Sequence, residues 1–158
     1  MLANDTEKKE NEKLQKTSIP SLPKNRDWYF FDLKDKVIGR VATKIAEILR
    51  GKNRNDFSPN SDLGSYVVLV NAKSLLFTGQ KLDKKYYYNH SGHPGGMRQR
   101  SLRIMINDYP TELVHRVIKG MMPHTKLSNQ QIKRLFVYPN DIHPHQAQEK
   151  NFVKIRLM

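Results

Sequence analysis

Apolar positions in this chain fall into short runs, and the spacing of each run predicts an element. Trp28-Tyr29-Phe30-Phe31 is an aromatic run with strand character. Gly39-Arg40 then leads into an amphipathic helix: Val41, Ala42, Ile45, Ala46, Ile48 and Leu49 share one face, while Lys44, Glu47 and Arg50 lie elsewhere. Gly51 supplies the stop, because glycine readily takes the left-handed conformation that closes a helix. After a polar loop, Tyr66-Val67-Val68-Leu69-Val70 is apolar without alternation, the pattern of a strand covered on both faces, as in a parallel sheet. Strand, helix and covered strand together form a right-handed crossover unit.

Further along, Leu75-Leu76-Phe77-Thr78 before Gly79 predicts another short strand and turn. Asp108-Tyr109-Pro110 opens a second helix with Leu113, Val114, Val117 and Ile118 on one side, ended by Gly120 and Pro123. Ser128 is placed to cap a short helix through Ile132 and Arg134. Phe136-Val137-Tyr138 reads as a last strand, and the tail from Pro139 as irregular. There is no internal repeat. The elements predict an α/β sandwich around a small, mostly parallel sheet.

Charge changes the picture from fold to partner. Lys and Arg total 28 against 15 Asp and Glu, a net +13 over 158 residues. Residues 1–27 hold six basic and five acidic side chains, so +12 remains on residues 28–158. A folded body with that excess repels itself unless a polyanion lies nearby, and nucleic acid is the polyanion whose counterions Lys and Arg displace. The duller reading is a basic, inert surface. Residues 1–27, polar and mixed in charge, cannot bury much apolar surface and are expected as an N-terminal extension. The folded domain is expected over 28–148, with 149–158 as a C-terminal tail.

Cysteine is absent, which removes disulfides and thiolate zinc sites. No apolar run approaches the roughly 18 to 20 residues that cross a bilayer, so no membrane partner is expected. Met1–Asn25 also has no apolar core of a signal peptide.

The most unusual segment is Lys81–Arg100, where basic residues flank three tyrosines and two histidines on a stretch broken by Gly92, Pro94, Gly95 and Gly96. RNA recognition uses this mixture: cations for phosphate, rings for stacking, glycine where backbones approach closely. The candidate contacts are Lys81, Lys84, Lys85, Tyr88, His90, His93, Arg98 and Arg100. The alternative is a hairpin whose tyrosines pack on the sheet. One of the three is expected inward in any case, since neighbours on a strand face opposite ways.

His90 and His93 (H-x-x-H) and His143 and His145 (H-P-H) raise a metal hypothesis. A zinc site needs three or four converging ligands; Asp141 is the only acidic residue close in sequence to either pair, and hydrogen bonding to RNA or backbone is the preferred reading. No metal or other cofactor is expected. Gly51-Lys52-Asn53 lacks the upstream glycine and the Ser/Thr of a phosphate-binding loop. G-x-S-x-G is absent, and ten acidic residues after position 27 show no paired-carboxylate site. No catalytic residue and no small-molecule substrate are expected. Met121-Met122 at a helix end allows two readings, an adaptable protein-contact surface or a core plug, and Lys119 there has a structural reason in the helix dipole.

Several of these pieces occur in a fixed order: Ile38-Gly39-Arg40-Val41-Ala42, Leu49-Arg50-Gly51-Lys52, Val70-Asn71-Ala72, Thr78-Gly79-Gln80-Lys81, Tyr88-x-His90-Ser91-Gly92-x-Pro94-Gly95-Gly96, Val117-x-Lys119-Gly120-Met121-Met122-Pro123 and His143-Pro144-His145. From Trp28 to Gln148 the chain resembles the large-subunit ribosomal protein thirteen family in its bacterial and organellar form. The resemblance implies a three-layer α/β/α fold around a short, mostly parallel four-stranded sheet with extended terminal segments. It implies a structural constituent of the large ribosomal subunit that binds large-subunit rRNA early in assembly beside neighbouring ribosomal proteins. By position it adds Arg40, Lys52, Lys119, His143 and His145 to the expected RNA-binding residues.

The chain departs from that pattern at Gly64-Ser65, at Leu127-Ser128-Asn129 and at Tyr138-Pro139-Asn140-Asp141. With the added N-terminal segment, this drift points to an organellar member, a mitochondrial one first; the plastid stroma and the bacterial cytoplasm are the alternatives. Two competing functions are a regulatory protein binding messenger RNA outside the ribosome and a histidine-dependent metalloenzyme.

Overall fold

The structure, a computed structural model, describes Pro20, Leu22, Pro23 and residues 25–154. Most of the expected N-terminal extension and the end of the expected tail lie outside the described residues.

The aromatic run forms β1 (Trp28–Asp32), and α1 (Ile38–Arg50) begins one turn earlier than its apolar stripe suggested. Gly51 takes the left-handed conformation (φ 79°), and its N–H donates to the Glu47 and Ile48 carbonyls. The covered strand is β2 (Tyr66–Val70), parallel to β1 from Trp28 opposite Tyr66 to Asp32 opposite Val70. A four-residue helix α2 (Lys81–Lys84) precedes an antiparallel pair, β3 (Tyr86–His90) and β4 (Met97–Ser101). Then come α3 (Leu102–Asp108), α4 (Pro110–Met121), α5 (Lys126–Gln131) and β5 (Leu135–Val137), and finally β6 (Phe152–Lys154). The main sheet runs β5-β2-β1-β6 with every pair parallel, which gives the expected mixed α/β fold with a four-stranded sheet.

Side-chain alternation divides the sheet. Tyr29, Phe31, Val67, Leu69 and Leu135 point into one core with Ile45, Leu49, Val114 and Ile118 of α1 and α4. Burying residues of this size stabilises by roughly 1.5 to 3 kcal/mol each. The opposite face carries Trp28 stacked on Tyr66 (4.4 Å), with Phe136, Phe30 and Phe152 alongside. His143 and His145 lie over these rings.

Four expectations need correction. Leu75–Thr78 forms no strand. Asn71 turns left-handed (φ 59°), a 3-10 turn follows over Ala72–Ser74, and only an isolated Val37–Leu76 bridge remains. Leu75 enters the core while Leu76 stays out. Thr125, not Ser128, caps α5: its Oγ1 accepts from the Ser128 N–H (3.2 Å), while Ser128 is buried inside the helix. Gly120 does not end α4, which runs through it to Met121. The stop belongs to Pro123, because the residue before a proline is pushed out of the helical region and Met122 is extended (φ −95°, ψ 152°). The last strand is not Phe136–Tyr138 either. β5 sits one residue earlier, and β6 arises from the stretch expected to be irregular, pairing with β1. Local polarity hides β6, since a three-residue strand at a sheet edge has no periodicity to read.

Gly64 sits where the loop meets α1. A Cβ there would run into the Leu49 carbonyl and fall 2.9 Å from Arg134 Nη2. Backbone cannot yield as a side chain can, so Gly64→Ala should cost about 3 kcal/mol, at the upper end of ordinary overpacking. A urea denaturation midpoint equal to wild type would refute that close approach.

Candidate nucleic-acid interface

The segment singled out in the sequence folds into a two-stranded ribbon beside the main sheet. In its register Tyr86 faces Ser101, Tyr87 faces Arg100, Tyr88 faces Gln99, Asn89 faces Arg98 and His90 faces Met97. Alternation therefore gives the ribbon two unlike sides. One carries Tyr86, Tyr88, His90, Met97 and Gln99. Tyr88 is 55% exposed and Met97 64%, an apolar-aromatic surface open to solvent. The other carries Tyr87, Asn89, Arg98 and Arg100.

Tyr87 is the inward tyrosine. It packs on Leu102, Met105 and Leu113 and so fixes the ribbon to α3 and α4. Burial pushes its phenol above the ordinary value, against the opposing charge of Arg116, and Lys85 Nζ lies 5.7 Å from its ring centre. The strands join through Ser91–Gly96, with Gly92 and Gly95 at positive φ. The Gly92 N–H donates to His90 Nδ1 (3.0 Å). That bond puts the proton of a neutral imidazole on Nε2, leaving a donor free to face a partner.

Lys81, Lys84, Lys85, Tyr88, His90, His93 and Arg98 are all exposed, on the ribbon or the short helix leading into it. Arg100 belongs to the same ribbon but is already engaged. Its guanidinium lies over the Tyr109 ring (4.5 Å) and reaches Glu112 Oε2 (3.5 Å). Arg40, Lys52 and Lys119 are also exposed, but on α1, just after it and on α4. Lys52 borders a cleft between these helices, lined by Thr43, Ala46, Glu47, Arg50 and Met121. The two methionines divide: Met122 plugs the core, and Met121 is 41% exposed at that cleft.

His143 and His145 are not brought to the ribbon. They lie on the aromatic face of the sheet, the face away from α4, where His145 Nε2 bonds the Tyr138 hydroxyl (3.0 Å) and the His145 N–H donates to His143 Nδ1 (3.3 Å). Among the described residues no three His, Cys, Asp or Glu converge as a metal would require.

Burial, with His143 adding to it, holds His145 below its ordinary value, and burial alone does the same for His115. Both therefore take up a proton less readily in the folded state than in the unfolded chain. The unfolded chain binds the extra protons, so their contribution is complete above pH 6.5 and fades as pH falls below it. Urea melts at pH 7.5 and 5.5 should show a loss that His145→Phe reduces. An unchanged pH dependence in that variant would remove His145 as a cause.

The sequence reading missed Arg116 and Glu112. Arg116 reaches Glu112 Oε1 through Nη2 (2.7 Å) and Nε (3.0 Å), one helical turn apart on α4. The four-residue spacing was visible. What was not visible is that the ribbon lies across this turn and adds Arg100 to the same carboxylate.

An α/β body carrying a ribbon with cations on one side and open rings on the other defines a basic protein suited to a polyanionic partner. The family profile of Ribosomal protein L13 matches residues 26–144. Among curated proteins the chain is 47% identical over 132 residues to the large ribosomal subunit protein uL13 of Ureaplasma parvum serovar 3, covering 84% of this chain and 89% of that one. It is 44% identical over 130 residues to the uL13 protein of Geobacter sp. strain M21, covering 82% and 92%. To that of Prochlorococcus marinus strain NATL1A it is 41% identical over 143 residues, covering 90% and 95%. The chain belongs to the ribosomal protein L13 family, and with that it is a ribosomal protein, a structural component and not an enzyme. These relatives are bacterial.

Proposed function

We propose that the chain works as a scaffold of the large ribosomal subunit, holding large-subunit rRNA beside neighbouring proteins as the particle assembles. The observation that carries this reading is the two-sided ribbon. Lys81, Lys84, Lys85 and Arg98 are positioned for phosphate, Tyr88 for a base, and His90 and His93 for hydrogen bonds at the turn. Arg40 on α1, Lys52 just after it and Lys119 on α4 add exposed cations outside the ribbon. Arg100, His143 and His145 act first through the intramolecular partners just described, and contribute to RNA binding from those fixed positions.

The bacterial relatives favour a bacterial cytoplasm for that ribosome over the mitochondrion that sequence drift pointed to. The test is sedimentation of source-cell lysate through a gradient at moderate salt. The chain is expected with large subunits. Recovery only in ribosome-free fractions, crosslinked to messenger RNA, would overturn the assignment, and recovery from an organellar fraction would overturn the compartment.

A further inference from the structure

The ribbon side opposite Tyr88 holds more than a basic strand. Tyr87, Asn89, Arg98, Arg100 and Arg116 enclose a cleft of about 60 Å³ where the ribbon crosses α4. The cleft is small, polar and open to solvent, lined by side chains that can donate hydrogen bonds to an anionic group. The guanidinium groups of Arg100 and Arg116 meet at the carboxylate of Glu112, and Arg98 lines the same cleft from β4. Glu112 satisfies little of their capacity: Arg116 spends two donors on it, Arg100 reaches it with a single bond of 3.5 Å, and Arg98 has no carboxylate partner among the described residues. Each guanidinium has five N–H donors in a fixed fork, so most remain free. The carboxylate's effect is positional. It ties Arg116 of α4 and Arg100 of β4 side by side, while the Tyr109 ring supports Arg100 from beneath.

We propose that Arg98, Arg100 and Arg116 form a cleft, ordered by Glu112, that grips an RNA backbone phosphate on the side of the ribbon away from Tyr86 and Tyr88. This rests on the RNA-binding reading above and adds a specific subsite with Arg116 as its new member. An RNA phosphate fits this geometry because planar forks bind its oxygens in pairs, and a preset fork loses less freedom on binding than a free side chain. The ribbon therefore offers two unlike sides, an arginine side that takes phosphate and a tyrosine side that is apolar and aromatic.

The test compares R116A, R116K and R98A with a K84A/K85A variant, using full-length protein and a large-subunit rRNA transcript of Ureaplasma parvum. Affinity is followed across salt concentrations, and melting temperature is recorded for each variant. Removing one phosphate interaction lowers the log–log salt slope by about 0.7 to 0.9, and affinity at 0.15 M salt about four- to fivefold. R116A and R98A should each show this. R116K should recover the slope, because the charge is retained, but not the full affinity, because the fork is absent. A merely structural Arg116–Glu112 pair would lower the melting temperature of R116A and leave its slope alone. R98A, at an exposed position with no carboxylate partner, keeps the test valid should R116A fold poorly. Unchanged slopes in R116A and R98A with a reduced slope in K84A/K85A would overturn the cleft and spare the RNA-binding reading. A wild-type chain that does not bind the transcript would overturn both.

Discussion

Asp62→Ala should lose about 3 kcal/mol of folding stability, because it strands a buried charge. Arg134 is only 8% exposed, and its two terminal nitrogens grip both Asp62 oxygens in a bidentate pair. Arg26 joins the same carboxylate at 3.3 Å. Arg134 Nε already has no partner among the described residues, and Nη2 also reaches the Leu49 carbonyl (3.4 Å). Without Asp62 the guanidinium stays buried with no counter-charge. The group ties the loop after α1, the 3-10 turn before β5 and the chain entering β1 into one node, so the loss should appear as global unfolding. Guanidinium melts read it directly, and D62A combined with R134M should be less destabilised than D62A alone. A double variant as unstable as D62A would show that the stranded charge is not the cause.

The same node makes an acid prediction. Burial by itself would push the Asp62 carboxyl up. The Arg134 hydrogen bonds, with the Arg134 and Arg26 charges, more than offset that and hold it below the ordinary value of 3.8. A depressed carboxyl stabilises above its unfolded value and stops doing so as pH falls through the folded one. Wild type should therefore weaken from about pH 4 downward, and D62A should lack that component.

Replacing Lys81, Lys84 and Lys85 together with Ala should weaken rRNA binding by roughly 50- to 150-fold at 0.15 M salt and reduce the salt slope by about 2 to 3. All three are exposed beside the ribbon, so their removal leaves the core intact. Neutralising phosphates is a sequence-independent effect, and the weakening should be similar on unrelated RNA of the same length. A melting temperature near wild type with an unchanged slope would show that none of the three touches phosphate.

Much of the fold is legible where one helix or strand suffices to bury its own apolar pattern. α1 and α4 follow from a 3.6-residue stripe, and β2 from an unbroken apolar run, because each packs against the core along its whole length. The expected strand at Leu75–Thr78 fails because a left-handed Asn71 redirects the chain, and nothing in the apolar pattern records a backbone angle. β6 escapes because three residues at an edge owe their conformation to β1 rather than to themselves.

The ribbon was legible in content and not in arrangement. Its composition marks a polyanion-facing segment, and pleating alone requires one of the three tyrosines to turn inward. Which one depends on register, and only the Tyr87–Arg100 pairing and the apolar cluster beneath it decide that.

By itself, then, the sequence determined the parallel α/β core, the basic partner surface and the family, since these rest on periodicity, net charge and ordered local motifs. Tertiary structure decided that His143 and His145 lie across the sheet among aromatic rings, that Asp62 anchors Arg134, and that Arg116 shares Glu112 with Arg100 and lines one cleft with Arg98. Each outcome joins residues from separate elements, 72 positions apart in the case of Asp62 and Arg134, and no local pattern encodes such meetings.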